Sequence, residues 1–398
     1  MLRGRLGKGG SFNRTATRWR KPGSHKAGWH VVGTTIEKAV HLWETRGLDR
    51  SEVDEISAGD IVWIAGPGEI NIGDTLADLD TPGAALPPLE IEEPTVSMFF
   101  LGNTGPFAGN EGKAVSLRVL RERLHRELHT NVALRVDEID LFNGIKVSGR
   151  GELHLGILIE EMRREGLEFC VSRPEVILHR DDKGRTLEPM EQVVIDAPEE
   201  FQGVLIEKLS RRKGELTHME HTGTGILRIA LSIPTRGLIG YRTEFLTDTR
   251  GLGIMVSRFT GYGPWRGDVQ GRTRGSLVSM ETGVATAYQI EKLQERATLF
   301  VEPMDRVYKG QIVGENARAV DNICNPTKRK QLTNHRQSTK ELYVGLNAPR
   351  KMTLDQALEW IADGELVEVT PESVRVRKTV LDPNDRKRLR NQQSLTVA

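Results

Sequence analysis

Two Gly-Lys pairs, Gly7-Lys8 and Gly112-Lys113, are the places where this chain could wrap a nucleotide phosphate. Such a loop needs Gly-x-x-x-x-Gly-Lys followed by Ser or Thr, so that backbone N–H groups surround the phosphates and a hydroxyl reaches magnesium. Leu2 and Phe107 stand where the first glycine is required, and Gly9 and Ala114 replace the hydroxyl residue. Both pairs fail. No Asn-Lys pair is present to read guanine. Asp80-Thr81-Pro82-Gly83 imitates an Asp-x-x-Gly switch, but Pro and Gly in that order read as a turn. His218-x-x-His221 lacks Cys or carboxylate partners at zinc spacing. Gly223-x-Gly225 lacks the third glycine and the strand–helix setting of a dinucleotide site, and reads as a hairpin turn. His154, at a helix start, suits packing or RNA backbone contact better than acid–base work. With no nucleophile–base–orienter set, the expectation is of no catalytic residue and no metal site in this chain.

Charge points to binding instead. Lys+Arg 56 against Asp+Glu 55 is nearly balanced overall, yet the distribution is uneven. Residues 1–36 carry Lys and Arg without any acid, and residues 316–351 carry Lys and Arg against only Asp321 and Glu341. Clusters of this kind are an electrostatic signature of phosphate contact. Lys328, Arg329 and Lys330 form a compact triplet, and Asn334, His335 and Arg336 add donors for phosphate or base edges. Arg318, Lys340, Arg350 and Lys351 extend that track. Arg211, Arg212 and Lys213 offer a second surface at a helix end, where cations also suit the helix dipole. Cys170 and Cys324 are far apart and imply neither a disulfide framework nor a zinc site, which fits a reducing cytoplasm. No apolar run reaches the ~18 residues of a membrane span.

The elements that must position these residues follow from hydrophobic period and turn signals. Residues 1–34 read as a disordered basic segment, and 35–92 as part of a β-barrel with a linker, the run 61–65 being of buried type. Over 93–178 the pattern predicts strand 95–101, helix 113–129, strands 132–139 and 144–148, helix 152–165 built on Leu153, Ile157, Leu158 and Met162, and strand 167–172. Over 187–262 the same β-α-β-β-α-β order returns, with helices at 198–212 and 237–249. Two split βαβ, ferredoxin-like modules in tandem are therefore expected. Residues 263–381 read as β-rich with a helix at 353–362 capped by Thr353, and 382–398 as a frayed polar tail. The fold class is α+β.

Several segments together resemble the BipA/TypA family of translational GTPases, related to elongation factor G and LepA. Ser57-Ala58-Gly59-Asp60-Ile61-Val62 and Ile70-Asn71-Ile72-Gly73-Asp74-Thr75 resemble the end of its domain II. Pro106-Phe107-Ala108-Gly109 and Ser148-Gly149-Arg150-Gly151-Glu152-Leu153-His154-Leu155 resemble its domain III. Gly237-Leu238-Ile239-Gly240-Tyr241-Arg242 resembles domain V. Arg274-Gly275-Ser276-Leu277-Val278-Ser279-Met280-Glu281-Thr282-Gly283 and Gly310-Gln311-Ile312-Val313-Gly314-Glu315 resemble the C-terminal domain that distinguishes this family.

The resemblance implies a ribosome-binding portion of a translation factor, acting in large-subunit assembly or stress-dependent translation, monomeric and cytoplasmic. Its implied partners are ribosomal RNA and A-site transfer RNA, the 318–351 loop reaching toward the acceptor end. GTP and Mg2+ are the family's cofactors; the matching GTPase domain and the first barrel half are missing here, so none is expected in this chain. A GTPase completed in trans by a separate G domain, or a passive RNA-binding protein, are the alternatives. His335, Gln337 and Lys340 depart from the residue types expected in the family's loop.

Overall fold

The computed structural model describes residues 1–19, 28–68, 70–81, 85–89, 93–139, 144–223, 225–269, 271–329 and 345–396. The chain forms two compact units, Met1–Glu92 with Arg126–Val132, and Glu93–His125 with Ala133–Ala398.

The first unit holds β1 (Arg5–Gly7), β2 (Ser11–Trp19), β3 (Trp29–Lys38), β4 (His41–Arg46), β5 (Asp49–Glu52), β6 (Glu55–Ser57), β7 (Val62–Ala65) and β8 (Thr75–Ala77). They pair as β1-β6, β3-β2-β8 and β5-β4-β7, so the described strands make three small sheets and no closed barrel. The described part of the opening segment, expected to be disordered, is thus largely strand. Its few apolar residues suffice because the polar ones find partners. Phe12 joins Ala39, Leu42 and Ile56 in the core. Asn13 Nδ2 donates to the Asp78 carbonyl at 2.8 Å, and Arg14 Nε to Asp74 at 2.6 Å. The run expected to be buried at 61–65 alternates instead: Val62 and Ile64 pack on the core while Ile61 and Trp63 face outward.

The second unit opens with β9 (Val96–Gly102), α1 (Leu117–Glu127), β10 (Arg135–Ile139), β11 (Gly144–Gly149), α2 (Glu152–Arg164) and β12 (Phe169–Val171). The spatial order β10-β11-β9-β12 is antiparallel throughout. Val96, Met98 and Phe100, every second residue of β9, are buried as alternation requires. In α2 the phase differs from the expected one. Leu155, Leu158, Ile159 and Met162 are buried, whereas Leu153 and Ile157 are 46% and 60% exposed. Nearly every position of that helix is apolar or long, so periodicity alone left its buried face ambiguous.

After the short β13 (Glu175–Val176) and β14 (His179–Arg180) comes β15 (Thr186–Pro198), then α3 (Gln202–Arg211), β16 (Glu215–His221), β17 (Ile226–Pro234), α4 (Thr235–Leu238), α5 (Tyr241–Asp248) and β18 (Ile254–Pro264). The order β16-β17-β15-β18 repeats that of the preceding module. Leu205, Leu209, Tyr241 and Phe245 from the helices meet Val193, Ile195, Ile229 and Leu231 from the sheet in one core. Two helix expectations shift. A 3-10 turn, Glu199–Phe201, precedes α3. The helix expected over 237–249 is broken at Gly240, whose φ of 75° favours glycine.

The remainder comprises β19 (Ser276–Ser279), β20 (Gly283–Val284), α6 (Ala287–Gln294), β21 (Ala297–Leu299), β22 (Arg306–Val307), β23 (Gln311–Asn316), β24 (Asn322–Cys324), α7 (Leu354–Trp360), β25 (Glu365–Val369), β26 (Val374–Lys378) and α8 (Pro383–Thr396). Thr353 caps α7 in a capping box with Gln356. The tail expected to fray is the helix α8: Pro383 suits the first helical position, and the Asp382 carboxylate accepts from the Asn384 N–H at 2.7 Å.

One sheet crosses most of this unit. Its path is β10-β11-β9-β12-β25-β26-β23-β19-β24, and the link is antiparallel pairing of Phe169, Cys170 and Val171 with Val369, Glu368 and Val367. Charged groups seal that link. Buried Glu368 accepts from Tyr308 Oη at 2.5 Å and Arg375 Nη1 at 3.0 Å, while Arg375 also pairs with Glu111. A buried carboxylate is tolerated when paired and hydrogen-bonded in this way.

Candidate nucleic-acid interface

The basic segment after β24 is rooted on α6 at both ends. Thr286, the N-cap of α6, donates its Oγ1–H to the Lys328 carbonyl at 2.7 Å and accepts from the Gln289 N–H. Its backbone N–H donates to the Pro326 carbonyl at 3.0 Å. At the far end of the helix, Gln294 Nε2 donates to the Gly345 carbonyl at 2.8 Å, and its Oε1 accepts from the Asn347 N–H at 2.9 Å. An eight-residue helix rises about 12 Å, so the two roots are held about that far apart. Sequence reasoning missed α6. Its signal was Thr286-x-x-Gln289, the capping pattern that marks a helix start.

Among the expected contact residues, Arg318, Lys328 and Arg329 are exposed. Lys330, Asn334, His335, Arg336 and Lys340 lie outside the described residues. Arg350 and Lys351 are exposed but engaged: Arg350 Nη1 lies 3.6 Å from Glu315, and Lys351 Nζ 2.9 Å from Glu302, which raises the Lys351 pKa. The second surface divides. Arg211 pairs with Glu207 one turn earlier at 2.6 Å and remains exposed. Arg212 turns inward, its Nη1 donating to the Gly237 and Ile239 carbonyls at 3.1 Å and its Nη2 to Glu244 at 2.9 Å. That guanidinium ties α3 to the turn before α5. Lys213 adopts a left-handed φ of 70° at the end of α3 and its carbonyl accepts from Arg266.

One nucleotide candidate and the histidine pair have defined partners in the structure. The loop before Lys113 does wrap an anion, but that anion is Glu168. Its carboxylate accepts N–H bonds from Gly109 at 2.7 Å, Glu111 at 2.9 Å and Gly112. A Cβ at Gly112 would sit 2.5 Å from the Glu168 Cγ, so the close approach requires glycine there. A phosphate at this loop would have to displace a tethered carboxylate. His218 and His221, three apart on β16, pair separately with Glu220 at 3.8 Å and Glu199 at 3.0 Å. Among the described residues there is no group of three or more His, Cys, Asp or Glu able to hold a metal ion. Cys170 and Cys324 are buried free thiols, each pushed by burial up to about 12. Among the described residues no helix is long and apolar enough to cross a membrane.

The TypA/BipA C-terminal domain matches residues 274–383, and the elongation factor G C-terminus matches residues 185–273. The "Large ribosomal subunit assembly factor BipA" of Haemophilus influenzae is 51% identical over 343 residues, covering 86% of this chain and 55% of that protein. The protein so named from Bacillus subtilis is 45% identical over 387 residues, covering 97% and 62%. That from Synechocystis is 50% identical over 341 residues, covering 86% and 57%. The chain spans little more than half the length of the curated relatives it matches. A TypA/BipA C-terminal domain match adjoining an elongation factor G C-terminus match, with curated relatives 45–51% identical over 86–97% of the chain, places it in the BipA/TypA family.

Proposed function

We propose that this chain is a ribosome-docking portion of a BipA/TypA-like translation factor, serving large-subunit assembly or stress-dependent translation. Its two modules act as ferredoxin-like domains equivalent to domains III and V. The basic segment reaches ribosomal RNA and the acceptor end of A-site transfer RNA, through Arg318, Lys328 and Arg329 together with Lys330, Asn334, His335, Arg336 and Lys340. Arg211 and Lys213 add a lesser contact. The observation that carries this reading is the double root on α6, which holds both described ends of the basic segment at fixed points with Lys328 and Arg329 exposed. On this reading the chain works as a monomer in the cytoplasm and performs no hydrolysis by itself, which the Glu168 carboxylate seated in the loop before Lys113 supports.

Sedimentation of the purified chain with 70S ribosomes and separated subunits across a salt series tests it. Binding is expected to fall with salt and to ignore a non-hydrolysable GTP analogue. Replacing Lys328 and Arg329 together with Ala flattens the log–log salt slope by about one unit per lost phosphate contact. No binding at low salt, or an unchanged slope, overturns the assignment.

A further inference from the structure

The β5-β4-β7 sheet of the first unit carries two tryptophans on its side away from the core. Trp43 on β4 stands directly opposite Trp63 on β7, so both rings project from one face. Leu42, pointing the other way, is fully buried beside Phe12 and Ile56. Trp63 is 43% exposed yet fixed: its Nε1–H donates to Thr45 Oγ1 at 3.0 Å, and the Arg50 guanidinium lies 3.6 Å over its ring. His41 stacks on Trp43 with centroids 5.5 Å apart. Glu52, opposite Trp43, is engaged by Lys8 at 2.7 Å and His41 at 2.8 Å. Arg50 makes no ion pair among the described residues.

We propose that this face is a stacking platform for an unpaired base of ribosomal RNA, Trp43 and Trp63 supplying ring faces and Arg50 a cation for the adjoining phosphate. The inference rests on the docking reading above and names a contact for it. Rings interleaved with cations are how single-stranded nucleic acid is held, since every base has a face to stack and guanidinium planes stack as well. A protein partner is disfavoured because Lys and Glu are depleted at protein interfaces, whereas the Lys8–Glu52 pair flanks these rings. The Arg50 guanidinium, stacked on Trp63 and without an ion-pair partner among the described residues, selects an anionic ligand, and the rigid indole a flat one.

Anisotropy of fluorescein-labelled oligoadenylate, free or annealed to oligouridylate, tests the platform alongside ribosome sedimentation of the same variants. The chain is expected to prefer the unpaired strand. Trp63→Ala should weaken that binding about 5- to 150-fold, the loss of one stacked ring, and should weaken ribosome binding in parallel. Trp63→Phe, which keeps a ring, should retain most of both and guards against a folding artefact. Equal affinity of Trp63→Ala and the parent for oligoadenylate, equal binding of single strand and duplex, or ribosome binding indifferent to Trp63→Ala would each sink the proposal. If the parent binds oligoadenylate through these rings but fails to pellet with ribosomes, the docking reading fails and the ribosomal source with it. If it pellets while the rings prove indifferent, only the platform fails.

Discussion

Thr286 places one hydroxyl between two duties, capping α6 and holding the Lys328 carbonyl. Removing it separates geometry from charge in the basic segment. Thr286→Val keeps the shape and deletes both bonds, at a cost near 1 kcal/mol for the cap. Ribosome affinity should then drop at every salt concentration while the salt slope stays as in the parent, because no phosphate-binding cation is lost; a changed slope would contradict the role given to the root. Lys328→Ala should do the reverse and alter the slope. The sequence made the cations legible as charges, but not which ones the fold consumes. Arg212 had the right type and place for RNA, and only the positions of the Gly237 and Ile239 carbonyls reveal it as an internal tie. Glu168 is a similar case: its partners are backbone groups, which leave no residue-type signature.

At the scale of elements, alternation and helical period carried the two modules, since strands such as β15 and β17 bury alternate residues against helices of the same module, although β16 is exposed along its whole length. β2 escaped because its stability comes from side chains such as Asn13 and Arg14 bonding across the unit. The meeting of α2, the turn at Gly240 and α7 also has no local signal. Glu152 Oε2 accepts from the Gly240 N–H at 3.1 Å, and a Cβ at Gly240 would strike Glu359, 2.2 Å from its Cγ. Burial raises the Glu152 carboxyl to about 7, reinforced by Glu359 and Asp355 and opposed by the Gly240 bond and Arg212. Burial likewise raises Glu359 to about 7, with Glu244 and Asp355 adding to it while Arg212 and Arg350 oppose. The folded chain therefore holds protons that the unfolded chain has released, and stability falls as pH rises from the ordinary carboxyl range to about 7. Thermal unfolding at pH 5.5 and 8 should show Tm lower at pH 8, by on the order of a few degrees. Glu152→Gln and Glu359→Gln should each shrink that difference. A Tm that rises with pH, or equal pH responses in parent and variants, would refute this account.

In the whole molecule, the pairing of β12 with β25 makes the first module and the C-terminal strands parts of one sheet. Family resemblance delivered both regions, yet their union was invisible in the sequence because strand pairing at long range leaves no local pattern. Chains cut after Pro264 should lose more than the removed strands. β12 would become an unpaired edge beside β9, Phe107 would lose the Tyr308 ring and Glu111 would lose Arg375. Such a truncated chain is expected to aggregate at concentrations where the parent stays dispersed, as light scattering during a concentration series would show. Equal behaviour of the two would mean that the link adds nothing to stability. The same pairing sets a clock on synthesis. Phe169 and Val369 are neighbours in space but 200 residues apart in sequence, by subtraction of their numbers. At about 5–20 residues per second, β12 leaves the synthesising ribosome roughly 10–40 s before its partner exists. For that interval the nascent chain carries a hydrophobic strand with one side open, and its safe passage depends on whatever shields β12 until translation reaches Val369.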